Sequence, residues 1–258
     1  MAQYKGYFID LDGTIYQGTK QIPAAQRFID RLKAAHIPYL FVTNNSTKSP
    51  AEVAANLTKN HNILTAPEQV YTSSIATADY LKTIAQANKK HVYVIGENGL
   101  KQALKDAGFI LTDTEDVDFV VAGLDRQFNY EKLTTATLAI QKGATFIATN
   151  RDTNLPNERG MLPGAGSLIS AIQTATDIKP IVIAKPEIPI MTGALKKLSV
   201  SHTDAVMVGD NYYTDILAGI NAGINTLLVY SGVSSRNQML NVAQKPTHEI
   251  DNLDEWLI

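Results

Sequence analysis

The chain contains no cysteine, which removes disulfides, thiolate metal sites and cysteine nucleophiles and fits a reducing compartment. It also lacks a long apolar run. Nothing approaches the roughly 18 apolar residues that a membrane-spanning helix needs, and Met1-Ala2-Gln3-Tyr4-Lys5 enters the first strand without an apolar signal segment. A soluble, unprocessed, cytoplasmic protein is expected. Charge of one sign is not in excess either: 23 Lys and Arg face 25 Asp and Glu, a net charge of -2. No global field therefore draws the chain to nucleic acid or to an anionic membrane, and the expected partner is a small molecule. The histidines His36, His61, His91, His202 and His248 are scattered, with no paired ligand spacing. Gly164-Ala165-Gly166 lacks the third glycine of a dinucleotide loop. The single tryptophan, Trp256, lies in a short helical tail and reads as a packing residue.

What is present is a regular alternation of strand and helix signals over 258 residues, 45% of them apolar. That pattern predicts an α/β protein with a mainly parallel sheet. Strands are expected at Gly6 to Ile9 and Tyr39 to Val42, with a helix opened by Pro23 between them. A second α/β unit begins after the polar break Ala87-Asn88-Lys89-Lys90 and ends near Asp177-Ile178-Lys179-Pro180. Within it, Asn150 to Gly166 reads as a long unstructured loop, a length that usually signals function. Strands at Ile181 to Ala184, Ala205 to Val208 and Asn225 to Val229 are then expected to complete the first sheet.

Four strand ends carry chemistry. Tyr7-Phe8-Ile9-Asp10-Leu11-Asp12-Gly13-Thr14 puts two carboxylates one residue apart after an apolar run. Side chains at i and i+2 of an extended segment point the same way, so both can face one small volume and call for a cation. The alternative is a strand that simply ends in an Asp-Gly turn. Thr43-Asn44-Asn45-Ser46 follows the second strand with uncharged donors of the kind that bind phosphate. Lys185 follows Ile181-Val182-Ile183-Ala184 and precedes Pro186, a place for a point charge aimed at phosphate. Ala205-Val206-Met207-Val208-Gly209-Asp210 brings a third carboxylate, and Asp215 follows near a helix start, where acidic residues are also favoured by the helix dipole.

In this order the four segments resemble the motifs of the haloacid dehalogenase superfamily. The Thr-Asn-Asn-Ser form, the Lys185-Pro186 pair and Gly209-Asp210-Asn211-Tyr212-Tyr213-Thr214-Asp215 are most similar to its NagD-like, nitrophenyl-phosphatase branch, class IIA. The resemblance implies a Rossmann-like, doubly wound parallel sheet core with an inserted α/β cap of the C2 type. The core would comprise residues 1–86 and 179–258, and the cap residues 87–178. It also implies a magnesium-dependent phosphatase for a small phosphomonoester, such as a sugar phosphate or a nucleoside monophosphate, acting through an aspartyl-phosphate. Asp10 would be the nucleophile and Asp12 the acid and base. Thr43, Asn44, Asn45 and Lys185 would bind phosphate. The metal would be held by the Asp10 carboxylate, the Asp12 backbone carbonyl and the Asp210 carboxylate, with Asp215 holding either the ligand sphere or Lys185. Oxygen-only ligands favour magnesium over zinc. Asn150, Asp152 and Asn154 are the candidates for substrate contact from the cap, and a homodimer through the cap is an assembly open to this branch. A phosphomutase, or a catalytically idle binding module on the same fold, are the alternatives. Release of inorganic phosphate separates the first, and the presence of Asp10, Asp12, Lys185 and Asp210 argues against the second.

Overall fold

The computed structural model describes residues 4–157 and 159–258. In chain order its elements are β1 (Gly6–Ile9), β2 (Tyr16–Gln17), β3 (Lys20–Gln21), α1 (Pro23–Ala34), β4 (Tyr39–Thr43), α2 (Pro50–His61), β5 (Val70–Thr72), α3 (Ser73–Ile84), β6 (His91–Ile95), α4 (Asn98–Asp106), β7 (Ile110–Leu111), β8 (Phe119–Ala122) and α5 (Tyr130–Gln141). There follow β9 (Thr145–Ala148), β10 (Asn154–Asn157), β11 (Gly160–Pro163), α6 (Ala165–Thr176), β12 (Ile181–Val182), α7 (Ile188–Leu198), β13 (Ala205–Gly209), α8 (Leu217–Asn221), β14 (Asn225–Val229), α9 (Arg236–Met239) and β15 (His248–Ile250).

The chain forms two compact units, one of Met1–Thr43, Pro50–Tyr71 and Lys185–Ile258, the other of Asn44–Ser49 and Thr72–Ala184. The first is built on a six-stranded sheet of order β15-β14-β13-β1-β4-β5. Strand β1 pairs in parallel with both β13 and β4, and β13 with β14 and β14 with β15 are parallel as well. Its central strands are apolar and buried throughout, as parallel strands covered on both faces must be. Helix α1 follows the expected pattern: Pro23 stands in its first turn and Ala24, Ala25, Phe28, Ile29 and Leu32 make its buried stripe. That stripe shares a core with Tyr7, Ile9, Phe41, Leu57, Val206, Val208 and Trp256. The indole of Trp256 donates to the Tyr7 hydroxyl at 3.1 Å, so the lone tryptophan is a packing residue.

Sheet order decides where this unit can bind. The chain leaves β1 toward β4 and β5, returns to β13 on the other side, and moves outward to β14 and β15. The order therefore reverses between β1 and β13, and the carboxyl ends of those neighbours flank the crevice in which open α/β sheets hold ligands.

The second unit has its own five-stranded sheet, β12-β9-β8-β6-β7, parallel throughout, and its own core of Ile95, Val120, Ile140, Phe146, Ile169 and Ile172 among others. Two sequence expectations change here. The segment Ile181 to Ala184 does not complete the first sheet: β12 pairs with β9, and the ladder continues as Ile183 N–H and Ala184 N–H donate to Ala148 O at 3.0 Å and Thr149 O at 2.9 Å. Nor is Asn150 to Gly166 without structure. Strands β10 and β11 fold it into an antiparallel hairpin, with Gly160 at φ +119 beside the turn. Prolines in both strands and few apolar residues masked that hairpin in the sequence.

The units divide at 71/72 and 184/185, whereas the sequence suggested 86/87 and 178/179. Hydrogen bonds explain the earlier start. Ser73 Oγ donates to Asn44 O at 2.7 Å, Ser74 Oγ to Ser46 O at 2.8 Å, and Gly99 N–H to Thr47 O at 3.1 Å. These bonds tie helix α3 and residues 44–49 to the second unit's own elements. No helix among the described residues is long and apolar enough to cross a membrane.

Candidate active site

In the first unit the site grows from the two strands at the reversal. Asp10 follows β1 and Asp210 follows β13, so parallel pairing of these strands brings two carboxylates to one edge. Between Asp210 and α8 the chain makes a wide turn over Tyr212–Ile216 that contains Asp215. Asp215 approaches the end of β13 because residue 209 is glycine: a Cβ there would lie 2.3 Å from the Asp215 Cβ. One carboxylate oxygen from each of Asp10, Asp210 and Asp215 lies within 4.8 Å of the others.

Lys185 enters this cluster. Its ammonium donates to Asp10 Oδ1 at 2.6 Å, Asp215 Oδ1 at 2.7 Å and Val42 O at 2.9 Å, and its side chain is 2% exposed. Asp215 is the more fixed partner, because its Oδ2 also accepts from Asn211 N–H at 3.1 Å. It thus holds Lys185 within a hydrogen-bond network while adding charge to the cluster.

Three carboxylates and one ammonium leave a net negative charge in a buried volume. Burial, and after it the negative charge of Asp215, push the Asp10 carboxyl up to about 8, although Lys185 pulls the other way. Burial and Asp215 likewise push Asp210 up to about 6. Burial alone would favour neutral Lys185, but the charges of Asp10 and Asp215 outweigh it and raise the ammonium's pKa, keeping it charged. All donors to a cation here are oxygens, and a hard divalent ion would relieve the raised carboxyls; the cluster fits magnesium on charge and on ligand type.

Asp12 lies two residues after Asp10, just beyond the end of β1. Strand β1 ends at Ile9, and the chain coils so that Thr14, Ile15 and Tyr16 all donate N–H groups to Leu11 O. The Asp12 side chain is exposed, and its Oδ1 accepts at 3.2 Å from the N–H of Gly18 in the turn of the β2–β3 hairpin. Thr43 is the half-buried last residue of β4.

In the second unit Asn44 Nδ2 donates to Asp152 Oδ1 at 3.3 Å. Asn150 is buried, with Nδ2 donating to Asn44 O at 3.0 Å and Oδ1 accepting from Asp152 N–H at 3.0 Å. Both ends of its amide are thus engaged within the unit, and it braces Asn44 and Asp152. Asn45 is exposed, and its Oδ1 accepts from Thr47 N–H at 2.9 Å and Lys48 N–H at 3.0 Å, which shapes the turn. Asn154 stands apart on the exposed hairpin, where its Oδ1 accepts from Thr153 Oγ1 at 3.1 Å.

Sequence reasoning left some residues of the site unassigned. Thr14 Oγ1 donates to Asp210 Oδ1 at 3.1 Å, and Val233 N–H donates to Asp210 Oδ2 at 2.7 Å. Thr14 is part of the first motif. The signal for the second group is the run Ser231-Gly232-Val233-Ser234-Ser235, one residue after a buried strand.

Comparison with known proteins agrees with the geometry. A family model described as haloacid dehalogenase-like hydrolase matches residues 7–110, and a second, HAD-hydrolase-like model matches residues 182–256. The chain is 50% identical over 258 residues to a protein named 5'-nucleotidase YutF from Bacillus subtilis, covering 100% of this chain and 99% of that one. It is 48% identical over 255 residues to an acid sugar phosphatase from Staphylococcus aureus, covering 99% and 97%. Among solved structures, a thermostable NPPase double mutant from Geobacillus stearothermophilus superposes with a TM-score of 0.92 at 47% identity, covering 100% of this chain and 99% of that one. NagD from E. coli superposes with a TM-score of 0.92 at 33% identity, covering 99% of each chain. With four motif segments at the expected strand ends and relatives matched from end to end, this chain belongs to the haloacid dehalogenase-like hydrolases, in the NagD-like, class IIA phosphatase branch.

Proposed function

We propose that the chain is a magnesium-dependent phosphatase that hydrolyses small phosphomonoesters through an aspartyl-phosphate on Asp10. The observation that carries this reading is the buried cluster of Asp10, Asp210 and Asp215 around Lys185 at the sheet reversal. A carboxylate in that position can attack phosphorus while the fixed ammonium meets the charge of the phosphoryl oxygens.

In the first step an Asp10 oxygen forms a bond to phosphorus, the bond to the ester oxygen breaks, and Asp12 gives that oxygen a proton. In the second step water attacks the phosphorus, Asp12 takes the water's proton, and the Asp10–phosphorus bond breaks to release inorganic phosphate. The exposed position of Asp12 supports this part, since its carboxyl can exchange protons with solvent. Thr43, Asn44, Asn45 and Lys185 are assigned to the phosphoryl oxygens. Asp10, the Asp12 carbonyl and Asp210 would hold magnesium, which supplies charge neutralisation at the phosphoryl group.

The names of the relatives, a 5'-nucleotidase and an acid sugar phosphatase, favour nucleoside monophosphates and sugar phosphates as the substrate class. Discrimination among them is assigned to the second unit, with Asp152 and Asn154 as its polar groups and Asn150 as their brace. The remaining assignments are a cytoplasmic location and a homodimer formed through the second unit. Release of inorganic phosphate from a panel of phosphorylated metabolites, with magnesium and then with excess chelator, tests the reading. Activity that survives thorough chelation refutes the metal assignment, and transfer of phosphoryl between substrate positions without phosphate release refutes hydrolysis.

A further inference from the structure

We propose that Thr14 and the loop Ser231–Ser234 form a strap that fixes the Asp210 carboxylate and so sets the affinity of the first unit's carboxylate cluster for its divalent cation. The proposal rests on the reading of that cluster as a metal site. An ionised carboxylate has two oxygens and about four lone-pair positions. In Asp210 one position on each oxygen is taken, Oδ1 by the Thr14 hydroxyl at 3.1 Å and Oδ2 by the Val233 N–H at 2.7 Å. Two donors from separate chain segments, one on each oxygen, fix the orientation of the group while leaving lone pairs on both oxygens for a cation.

The strap is itself anchored. Ser231 Oγ donates to Gly13 O at 2.7 Å, Ser234 N–H donates to Asp210 O at 3.0 Å, and Tyr212 N–H donates to Ser234 Oγ at 2.8 Å. The close approach requires glycine on both sides. A Cβ at Gly232 would lie 2.0 Å from Asp210 Oδ2 and 3.0 Å from the Gly13 Cα, and a Cβ at Gly13, whose φ is +92, would lie 2.4 Å from the same oxygen. Asp210 is thus locked by groups that carry no charge and take no part in the proposed proton transfers. Such outer partners orient a ligand before the ion arrives, and their loss typically weakens metal binding by roughly 10- to 100-fold.

The test is calorimetric titration of magnesium chloride into the full chain stripped of metal. Thr14→Val, Ser231→Ala and Gly232→Ala are compared with wild type and with Asp210→Asn, and urea unfolding of each in EDTA monitors the fold. Thr14→Val is expected to raise the magnesium Kd on the order of tenfold, with Gly232→Ala toward the upper end of that 10- to 100-fold range. Thr14→Val and Ser231→Ala proteins that fold and bind magnesium with wild-type affinity would overturn the strap, whatever the fate of Gly232→Ala. Failure of the metal reading is separately visible: wild type that takes up no magnesium, or Asp210→Asn that binds as well as wild type, removes that reading and the strap with it.

Discussion

Replacing Lys185 by methionine tests the electrostatic account of the site independently of turnover. Methionine approximates the length of the stem and removes the ammonium, so Asp10, Asp215 and the Val42 carbonyl lose a donor at 2.6, 2.7 and 2.9 Å in a place where the lysine side chain is 2% exposed. Removing one partner of a buried ion pair costs about 3–5 kcal/mol, because the remaining charge stays buried and uncompensated. With a urea m-value of about 2–3 kcal/mol/M, the midpoint should fall by about 1–2.5 M. Trp256, buried in the first unit's core, reports this transition by fluorescence. Sign follows from linkage. The Asp10 carboxyl is already raised from 3.8 to about 8, and Lys185 is what pulls it down, so the variant raises it further. Wild type and variant alike gain this proton on folding between about pH 4 and 8, so both lose stability together as pH rises through that window. As pH reaches about 8 the wild-type carboxyl begins to release it while the variant keeps it, and from there the variant alone goes on losing stability. The deficit relative to wild type, measured in chelator, should therefore be larger at pH 8 than at pH 5. A Lys185→Met protein within about 1 kcal/mol of wild type at pH 7, or one with the larger deficit at pH 5, would refute the reasoning.

Asp10→Asn should abolish phosphate release while the wild-type urea profile is kept, and a folded variant with substantial turnover would exclude Asp10 as nucleophile. Asp12→Asn should lose rate with little change in magnesium affinity, since it retains the backbone carbonyl; calorimetry showing metal loss as the main defect contradicts that division. Alanine at both Asp152 and Asn154 should reorder substrates by kcat/KM, with several-fold effects of about 1 kcal/mol per lost hydrogen bond, and leave hydrolysis of an aryl phosphate nearly unchanged; equal losses on both kinds of substrate would place specificity elsewhere. Burial holds His248, whose Nε2 lies 2.7 Å from the Tyr4 hydroxyl, below the ordinary value of 6.5. The unfolded chain then binds more protons near that pH, so this residue's contribution to stability is lost as pH falls below 6.5. An NMR titration of His248 with a midpoint at or above 6.5 would contradict this.

The strand ends were legible because buried parallel strands announce themselves as apolar runs, and the residue after each run is polar for a reason. Asp10, Lys185, Asp210 and Asp215 are found together as that logic requires. Less legible was anything that depends on which partner a strand chooses. The run ending at Ala184 is equally apolar whether it joins the first sheet or β9, and only its hydrogen bonds to Ala148 and Thr149 decide. The turn that follows the first motif was not legible either, because three N–H groups converge there on a main-chain acceptor, Leu11 O. Asn150 looked like a loop amide available to a substrate, since a buried amide and an exposed one have the same spelling. The grip on Asp210 by Val233 was invisible because its donor is a main-chain group, which every residue but proline carries.

The reversal of strand order between β1 and β13 also governs when the site can exist. Residues 6–9 wait for residues 205–208 before their second edge is paired, so during synthesis the carboxylate of Asp10 emerges long before Lys185, Asp210 and Asp215. The inserted unit, continuous from Thr72 to Ala184 apart from residues 44–49, is translated in that interval. Contacts so distant in sequence form late. A ribosome-bound chain halted before residue 205 should therefore display an unpaired edge on β1 and no affinity for magnesium, and metal-binding capacity should appear only in the last fifth of translation.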